Sequence, residues 1–281
     1  MVGLIGAAIQ QSKSPALHEA ESQAMGLTLS YRLIDLKTVG PDGQGLSKAL
    51  EQVEHEGFAG VNITHPYKQL VIPLLDNLSD QAAMIGAVNT VVFKNGKRWG
   101  YNTDEWGFRE NFRRQMADVS LNSVVQIGAG GAGAATAHAL LTLGVKWLQI
   151  ADADLVRSQA LANKLAVRFP GARISATPSV DTALASADGV VNATPMGMAD
   201  HPGLPFDAGL LRPDLWVADI VYFPLETELL SRARRLGAKT LDGGGMAVFQ
   251  AAKAFELFTG IAPDQERMLR YFLSLPQGAE N

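Results

Sequence analysis

The chain has 281 residues, 47% of them hydrophobic and 19% charged, with a formal net charge of −4 and no cysteine. That length suits one large or two modest domains, two being the expectation, and the composition is that of an ordinary folded protein, neither disordered nor fibrous. A weakly acidic balance without any long basic stretch leaves no electrostatic footprint for nucleic acid or an anionic membrane surface. The missing cysteines exclude a disulfide frame, a thiolate metal site and a cysteine nucleophile. No segment holds the ~18 apolar residues of a membrane span, and the start lacks a charged leader, so a cytoplasmic location and small-molecule partners are expected.

In chain order, residues 2–9 read as a buried strand, and Ser12-Lys13-Ser14-Pro15 opens a helix running to about Met25. Strand-like runs at 31–36, 59–63 and 88–93 alternate with helical stretches at 43–56 and 67–85, the mark of a mostly parallel α/β layer. Asn95-Gly96 predicts a tight hairpin returning toward Tyr101, making an edge of this first sheet antiparallel. After a helix over 105–116, the apolar run 123–127 starts a second strand–helix series, with strands at 146–151, 173–176, 188–192, 215–220 and 238–241. A series of that length predicts a doubly wound Rossmann sheet over 105–241. The stretch 245–275 reads as helical throughout.

Gly128-Ala129-Gly130-Gly131-Ala132-Gly133 satisfies G-x-G-x-x-G directly after a strand and before a helix predicted over 134–143. In that context it is a dinucleotide loop: a tight turn, close approach of backbone to pyrophosphate, and amides at the helix start aimed at the phosphates. Asp152 lies 19 residues beyond Gly133 at the end of the next strand. A carboxylate there accepts the ribose hydroxyls and repels a 2′-phosphate, which favours NAD; Arg157, close behind, is the kind of residue that accommodates that phosphate. The competing role for Asp152 is to cap the following helix.

Three polar clusters precede this loop: 62–68, 87–90 and 101–104. Lys68, read at a helix start where the dipole disfavours a cation, is the candidate proton carrier, and Asp104 is its partner. Asn62, Thr64, Asn89 and Thr103 supply neutral groups that can bind hydroxyls. The alternative is a solvated lysine among ordinary turn residues. The five histidines show no ligand spacing, so no metal is expected. Neither a G-x-S-x-G elbow, a G-x-x-x-x-G-K-[ST] loop nor a tyrosine followed four positions on by lysine occurs.

Ser12-Lys13-Ser14-Pro15, Asn62-Ile63-Thr64-His65-Pro66-Tyr67-Lys68, Gly86-Ala87-Val88-Asn89-Thr90, Tyr101-Asn102-Thr103-Asp104, the glycine loop, Asn192-Ala193-Thr194-Pro195-Met196-Gly197 and Gly245-Met246 with Gln250 occur together in order. On these segments the chain resembles the shikimate dehydrogenases, and within them the NAD-using quinate/shikimate branch. The resemblance implies an N-terminal substrate domain, 1–104, completed by C-terminal helices over 242–281, with the Rossmann domain between. It makes Ser12 and Ser14 ligands of the substrate carboxylate, and Asn62, Thr64, Asn89, Asp104 and Gln250 ligands of ring hydroxyls. It also makes Lys68 and Asp104 the catalytic pair, has Tyr222 reach the substrate, and sets Thr194, Met196, Gly197, Val221 and Gly243 with the glycine loop around the cofactor. Where biosynthetic members carry an Asn-Arg-Thr-like segment for NADP, this chain has Ala151-Asp152-Ala153-Asp154. Ser14, by contrast, is the residue of shikimate-specific members.

The reading that follows is a reversible dehydrogenase converting shikimate, with quinate as a second substrate, to the 3-dehydro ketone with NAD, in a monomer or homodimer. Two alternatives stand beside it: an NADP-dependent biosynthetic shikimate dehydrogenase, and a non-catalytic nucleotide- or shikimate-binding regulatory protein.

Overall fold

β1 (Val2–Gly6) is buried along its whole length, as a strand covered on both faces must be, in the computed structural model of the chain, which describes residues 1–36 and 44–276. The strand stops at Gly6 instead of running to 9, because Ala8 turns to a positive φ of 56°. It is followed by α1 (Ser14–Ala24), β2 (Tyr31–Asp35), α2 (Gln44–His55) and β3 (Gly60–Ile63). The start of the helix expected over 43–56, residue 43, lies outside the described residues.

The single helix expected over 67–85 does not form. Turns lead from His65 to a short 3-10 helix at Ile72–Leu74, then come β4 (Asn77–Leu78) and α3 (Asp80–Ile85), the last capped by the Ser79 hydroxyl accepting from the Ala82 amide. Pro73 lacks the amide a helix would need there and crowds the preceding turn, so the ladder cannot propagate. β5 (Thr90–Lys94), β6 (Lys97–Tyr101) and α4 (Thr103–Gln115) complete this part. The strands order as β2-β1-β3-β5-β6-β4. β1 runs parallel to β2 and β3, β5 antiparallel to β3 and β6, and β4 parallel to β6. The antiparallel hairpin therefore lies inside the sheet, with β4 taking the edge.

The second sheet comprises β7 (Ser123–Ile127), β8 (Trp147–Ala151), β9 (Arg173–Ala176), β10 (Gly189–Asn192), β11 (Trp216–Asp219) and β12 (Thr240–Leu241). Its helices are α5 (Gly131–Thr142), α6 (Leu155–Arg168), α7 (Val180–Leu184) and α8 (Glu228–Arg235). The order β12-β11-β10-β7-β8-β9 is parallel throughout, the doubly wound arrangement of a Rossmann sheet. Strand order reverses between β7 and β10, and ligands of such sheets bind where their carboxyl ends part.

The C-terminal segment is two helices, not one: α9 (Gly244–Thr259) and α10 (Gln265–Ser274). Gly260 at φ 74° ends the first, Pro263 bars its continuation, and Asp264 caps the second by accepting from the Arg267 amide. The period-2 alternation of β1 divides the core in two. Ile5 packs with Leu46, Leu50 and Val53 of α2, while Val2 and Leu4 point the other way, to Tyr31 and to Ala254 and Phe258 of α9. Each such side chain contributes ~1.5–3 kcal/mol by leaving water.

Two compact units result: Met1–Gly107 with Val248–Leu275, and Phe108–Ala247. The divisions fall within the continuous helices α4 and α9, a few residues beyond the positions 104 and 242 read from the sequence.

Candidate active site

Sheet register assembles the polar clusters of the first unit. Asn62 on β3 pairs with Thr90 on β5, and Thr90 pairs with Tyr101 on β6, so segments far apart in sequence come together on adjacent strands. The Asn62 amide donates to Thr90 Oγ1 at 3.0 Å and to the Asn89 carbonyl at 3.3 Å, and its Oδ1 accepts from the Tyr31 hydroxyl at 2.8 Å. Both amide hydrogens of Asn62 are thus committed within the protein, leaving one lone pair on Oδ1 for a ligand. Asn89, also buried, accepts the Thr103 amide at 2.7 Å and donates to Gln250 Oε1 at 3.3 Å. Thr103 Oγ1 lies 2.9 Å from Asn89 Nδ2 and 3.4 Å from Gln250 Oε1.

Lys68 Nζ donates to Asp104 Oδ2 at 2.6 Å, the side chains being 18% and 7% exposed. The setting differs from the sequence expectation in one respect: Lys68 lies in a run of turns and does not itself open a helix. The helix start belongs to Asp104, in the first turn of α4, where the dipole favours a carboxylate. Val88 donates its amide to the Lys68 carbonyl at 2.8 Å, tying the lysine's turn to the Asn89 segment. The pair leaves two Nζ hydrogens and one carboxylate oxygen for a small ligand. Ser12 and Ser14 sit together where α1 begins, Ser12 Oγ accepting from the Ser14 amide at 3.3 Å. Thr64 follows β3, its amide bonded to the Ile5 carbonyl.

In the second unit the glycine loop joins β7 to α5. Gly128 has φ 105°, and a Cβ there would stand 2.6 Å from the Ala193 carbonyl oxygen; one on Gly133 would stand 2.2 Å from the Gly128 oxygen. Nothing lies within 4 Å of the corresponding position on Gly130, which leaves its backbone open to a diphosphate. Ala129, Gly131 and Ala132 complete the turn and first helical residues. The buried Gln126 holds the loop shut, donating to the Gly128 carbonyl at 2.9 Å and the Gly133 carbonyl at 2.8 Å, while accepting from Thr136 Oγ1 at 2.8 Å.

Asp152 Oδ2 accepts the Ala129 amide at 2.7 Å, and Oδ1 accepts the Asp154 amide at 2.9 Å. Asp152 is not the helix cap. That position is held by Asp154, whose carboxylate accepts from the Val156 and Arg157 amides. The Arg157 guanidinium is 3.8 Å from Asp152 Oδ1 and 57% exposed, a weak, solvent-screened pairing.

At the neighbouring strand ends, Asn192 Oδ1 accepts the Thr194 hydroxyl at 2.6 Å and its Nδ2 donates to the Met196 carbonyl at 2.9 Å. Val221 is buried and Tyr222 is 41% exposed. A Cβ on Gly243 would stand 2.4 Å from the Ile220 carbonyl oxygen, so glycine is required for that approach. Among the described residues no cluster of His, Cys, Asp or Glu could hold a metal ion, and no helix is long and apolar enough to cross a membrane.

Two family models match the chain: the shikimate dehydrogenase substrate binding domain over residues 4–91, and the shikimate 5′-dehydrogenase C-terminal domain over 243–270. A shikimate dehydrogenase (NADP(+)) of Streptomyces avermitilis is 55% identical, the match covering 96% of this chain and 93% of that one. The chain belongs to the shikimate dehydrogenase family. A quinate/shikimate dehydrogenase (NAD(+)) of Corynebacterium efficiens is 51% identical over 98% of both chains. Among solved structures, quinate dehydrogenase from Corynebacterium glutamicum in complex with NAD superposes with a TM-score of 0.89, at 50% identity over 98% of both chains.

For this shikimate dehydrogenase family member, sequence reasoning passed over the residues that hold the candidate ligands in place: Tyr31 and Thr90 behind Asn62, and Gln126 and Thr136 behind the glycine loop. Gln126 carried a readable signal, a polar residue inside the apolar run 123–127 two positions before Gly128. Tyr31 carried none, because its partner is fixed by the pairing of β2, β1 and β3.

Proposed function

We propose that the chain is a dehydrogenase of shikimate, with quinate as a second substrate, that converts the ring alcohol reversibly to the 3-dehydro ketone and favours NAD. The observation that carries this is the Lys68–Asp104 pair, 2.6 Å apart and largely shielded from water, beside the neutral network of Asn62, Asn89, Thr103 and Gln250. Such a set binds a small polyhydroxylated ring and can move one proton.

The dinucleotide, when bound, supplies the hydride acceptor. Lys68 is the group that takes the hydroxyl proton as the carbinol C–H leaves as hydride, and that returns it in the reverse direction. Asp104 orients both the hydroxyl and the lysine. Ser12 and Ser14, at the start of α1, suit a carboxylate, since helix N-termini favour anions; Thr64 and Gln250 take further ring hydroxyls, and Tyr222 is assigned to the substrate. On the cofactor side, residues 128–133 would hold the diphosphate and Asp152 with Arg157 the adenosine ribose. Thr194, Met196, Gly197, Val221 and Gly243 would form the nicotinamide end.

NAD is favoured because the Asp152 carboxylate puts a negative charge where a 2′-phosphate would sit. The relatives themselves carry both cofactor names, so the preference rests on that carboxylate. Initial rates at 340 nm for shikimate and for quinate, each with NAD and NADP, test the proposal. Higher kcat/KM with NAD for both acids supports it; NADP with shikimate alone assigns the enzyme to biosynthesis and gives Arg157 the decisive role. No reduction with either acid overturns dehydrogenase activity.

A further inference from the structure

Asp219, at the carboxyl end of β11 and 2% exposed, accepts three hydrogen bonds inside the second unit. Asn192 Nδ2 and the Val221 amide each reach Oδ1 at 3.0 Å, and Thr227 Oγ1 reaches Oδ2 at 2.9 Å. The three donors come from three segments: the end of β10, the turn after β11, and the N-cap of α8. Asn192 in turn fixes Thr194 and Met196. A Cβ on Gly197 would meet Thr227 Cγ2 at 3.3 Å, so that loop rests against the same threonine. Thr194, Met196 and Val221, three of the residues proposed for the nicotinamide end, therefore hang, directly or through Asn192, on this carboxylate.

We infer that Asp219 is a positioning residue for the hydride-accepting end of the dinucleotide, its ionised carboxylate fastening the 192–197 and 219–221 segments to the start of α8. This rests on the assignment of those segments to the nicotinamide. An ionised carboxylate only accepts, which matches all three donors; protonating Oδ2 turns the Thr227 hydroxyl from donor to acceptor and leaves a neutral, weaker acceptor for the two N–H groups. The groups facing it are neutral: Asn192 from β10, the Val221 amide from its own segment and Thr227 from α8. Burial pushes the Asp219 carboxyl up to about 6, against the pull of these three bonds, so the fastening weakens within an accessible pH range.

The test is fluorescence titration of the full chain with NADH and with ADP-ribose, which lacks the nicotinamide, at pH 8 and pH 5.5. Asp219→Ala and Asp219→Asn are expected to weaken NADH by about tenfold or more at pH 8 while leaving ADP-ribose within about twofold. In the wild type NADH affinity falls between pH 8 and 5.5, and in Asp219→Asn that fall is absent. Should the alanine variant not fold, Thr227→Val removes one donor and Thr227→Ser restores it. Equal losses for both ligands would make Asp219 a purely structural residue, and unchanged NADH affinity in both Asp219 variants would remove any role; either overturns the inference. Thr194→Val and Met196→Ala separate the two levels. If they leave NADH unaffected, the nicotinamide assignment fails and the inference with it; if they weaken NADH while Asp219→Asn does not, only the inference falls.

Discussion

The Asp152 carboxylate accepts the Ala129 amide at 2.7 Å, so the residue proposed to choose the cofactor also fastens the glycine loop. Asp152→Ser removes a repulsive charge and this tie together, whereas Asp152→Asn keeps one acceptor for Ala129 and removes only the charge. Both variants should move the NAD-to-NADP ratio of kcat/KM toward NADP by ~10²-fold, the scale of one lost charge pair at a partly exposed site. The serine variant should also weaken both cofactors. An unchanged ratio in the asparagine variant would place selectivity at Arg157.

Lys68→Ala should lower turnover by at least ~10²-fold, the usual scale of lost acid–base help, with a smaller change in the KM of the acid. Asp104→Asn keeps the shape and removes the charge that holds the ammonium, and should fall between wild type and Lys68→Ala. Steady-state kinetics at saturating dinucleotide decide the matter; near-normal turnover in Lys68→Ala would end its assignment as proton carrier.

Gly133→Ala would thrust a methyl to 2.2 Å from the Gly128 carbonyl oxygen, a contact that no rotamer relieves. The loop must open, breaking the two bonds from Gln126. Dinucleotide affinity should drop by about tenfold or more and thermal stability should fall, because overpacking against backbone costs ~1–3 kcal/mol. Gly130→Ala, whose added methyl meets nothing within 4 Å, should leave stability nearly intact while obstructing the diphosphate. Calorimetric melting with and without NAD separates the two.

His18 is fully buried among the rings of Tyr31, Phe255 and Phe258, and neither ring nitrogen has a hydrogen-bond partner. Burial lowers its pKa to about 3. The unfolded chain therefore binds the extra proton first, and stability is lost as pH falls from 6.5 toward 3, by up to about 1.4 kcal/mol per pH unit. Asp219 acts oppositely, its raised carboxyl adding stability as pH falls from 6 toward 3.8. His18→Phe isolates the first effect: urea midpoints of the variant should decline less than those of wild type between pH 7 and pH 4.5. Parallel declines would show that His18 stays neutral in both states or finds a partner.

The glycine loop and the clusters around Lys68 and Asp104 were legible because their chemistry is local, written in consecutive residues after strand ends. The Lys68–Asp104 pairing itself crosses 36 residues, yet it could be anticipated since few other charges share those clusters. Tyr31, Thr90 and Gln126 escaped because a buried polar residue inside a strand shows its purpose only once register supplies the partner. The two helix errors were different: Pro73 and Pro263 stood in the chain, and apolar spacing was allowed to outweigh the amide that proline lacks. Asp104 at a helix start shows a subtler case, in which the helix opens at the carboxylate and not at the lysine.

The β5–β6 hairpin pairs Thr90 with Tyr101 at one end and Lys94 with Lys97 at the other, about 14 Å away along the strands. One end is chemical and the other is idle: Asn95 and Gly96, at φ 55° and 66°, carry a solvent-exposed turn. A reporter dye or an affinity handle inserted between those two residues would ride on a ribbon whose far end adjoins Asn89, a proposed substrate ligand. Ligand occupancy could then be read from outside without editing any residue assigned to the reaction.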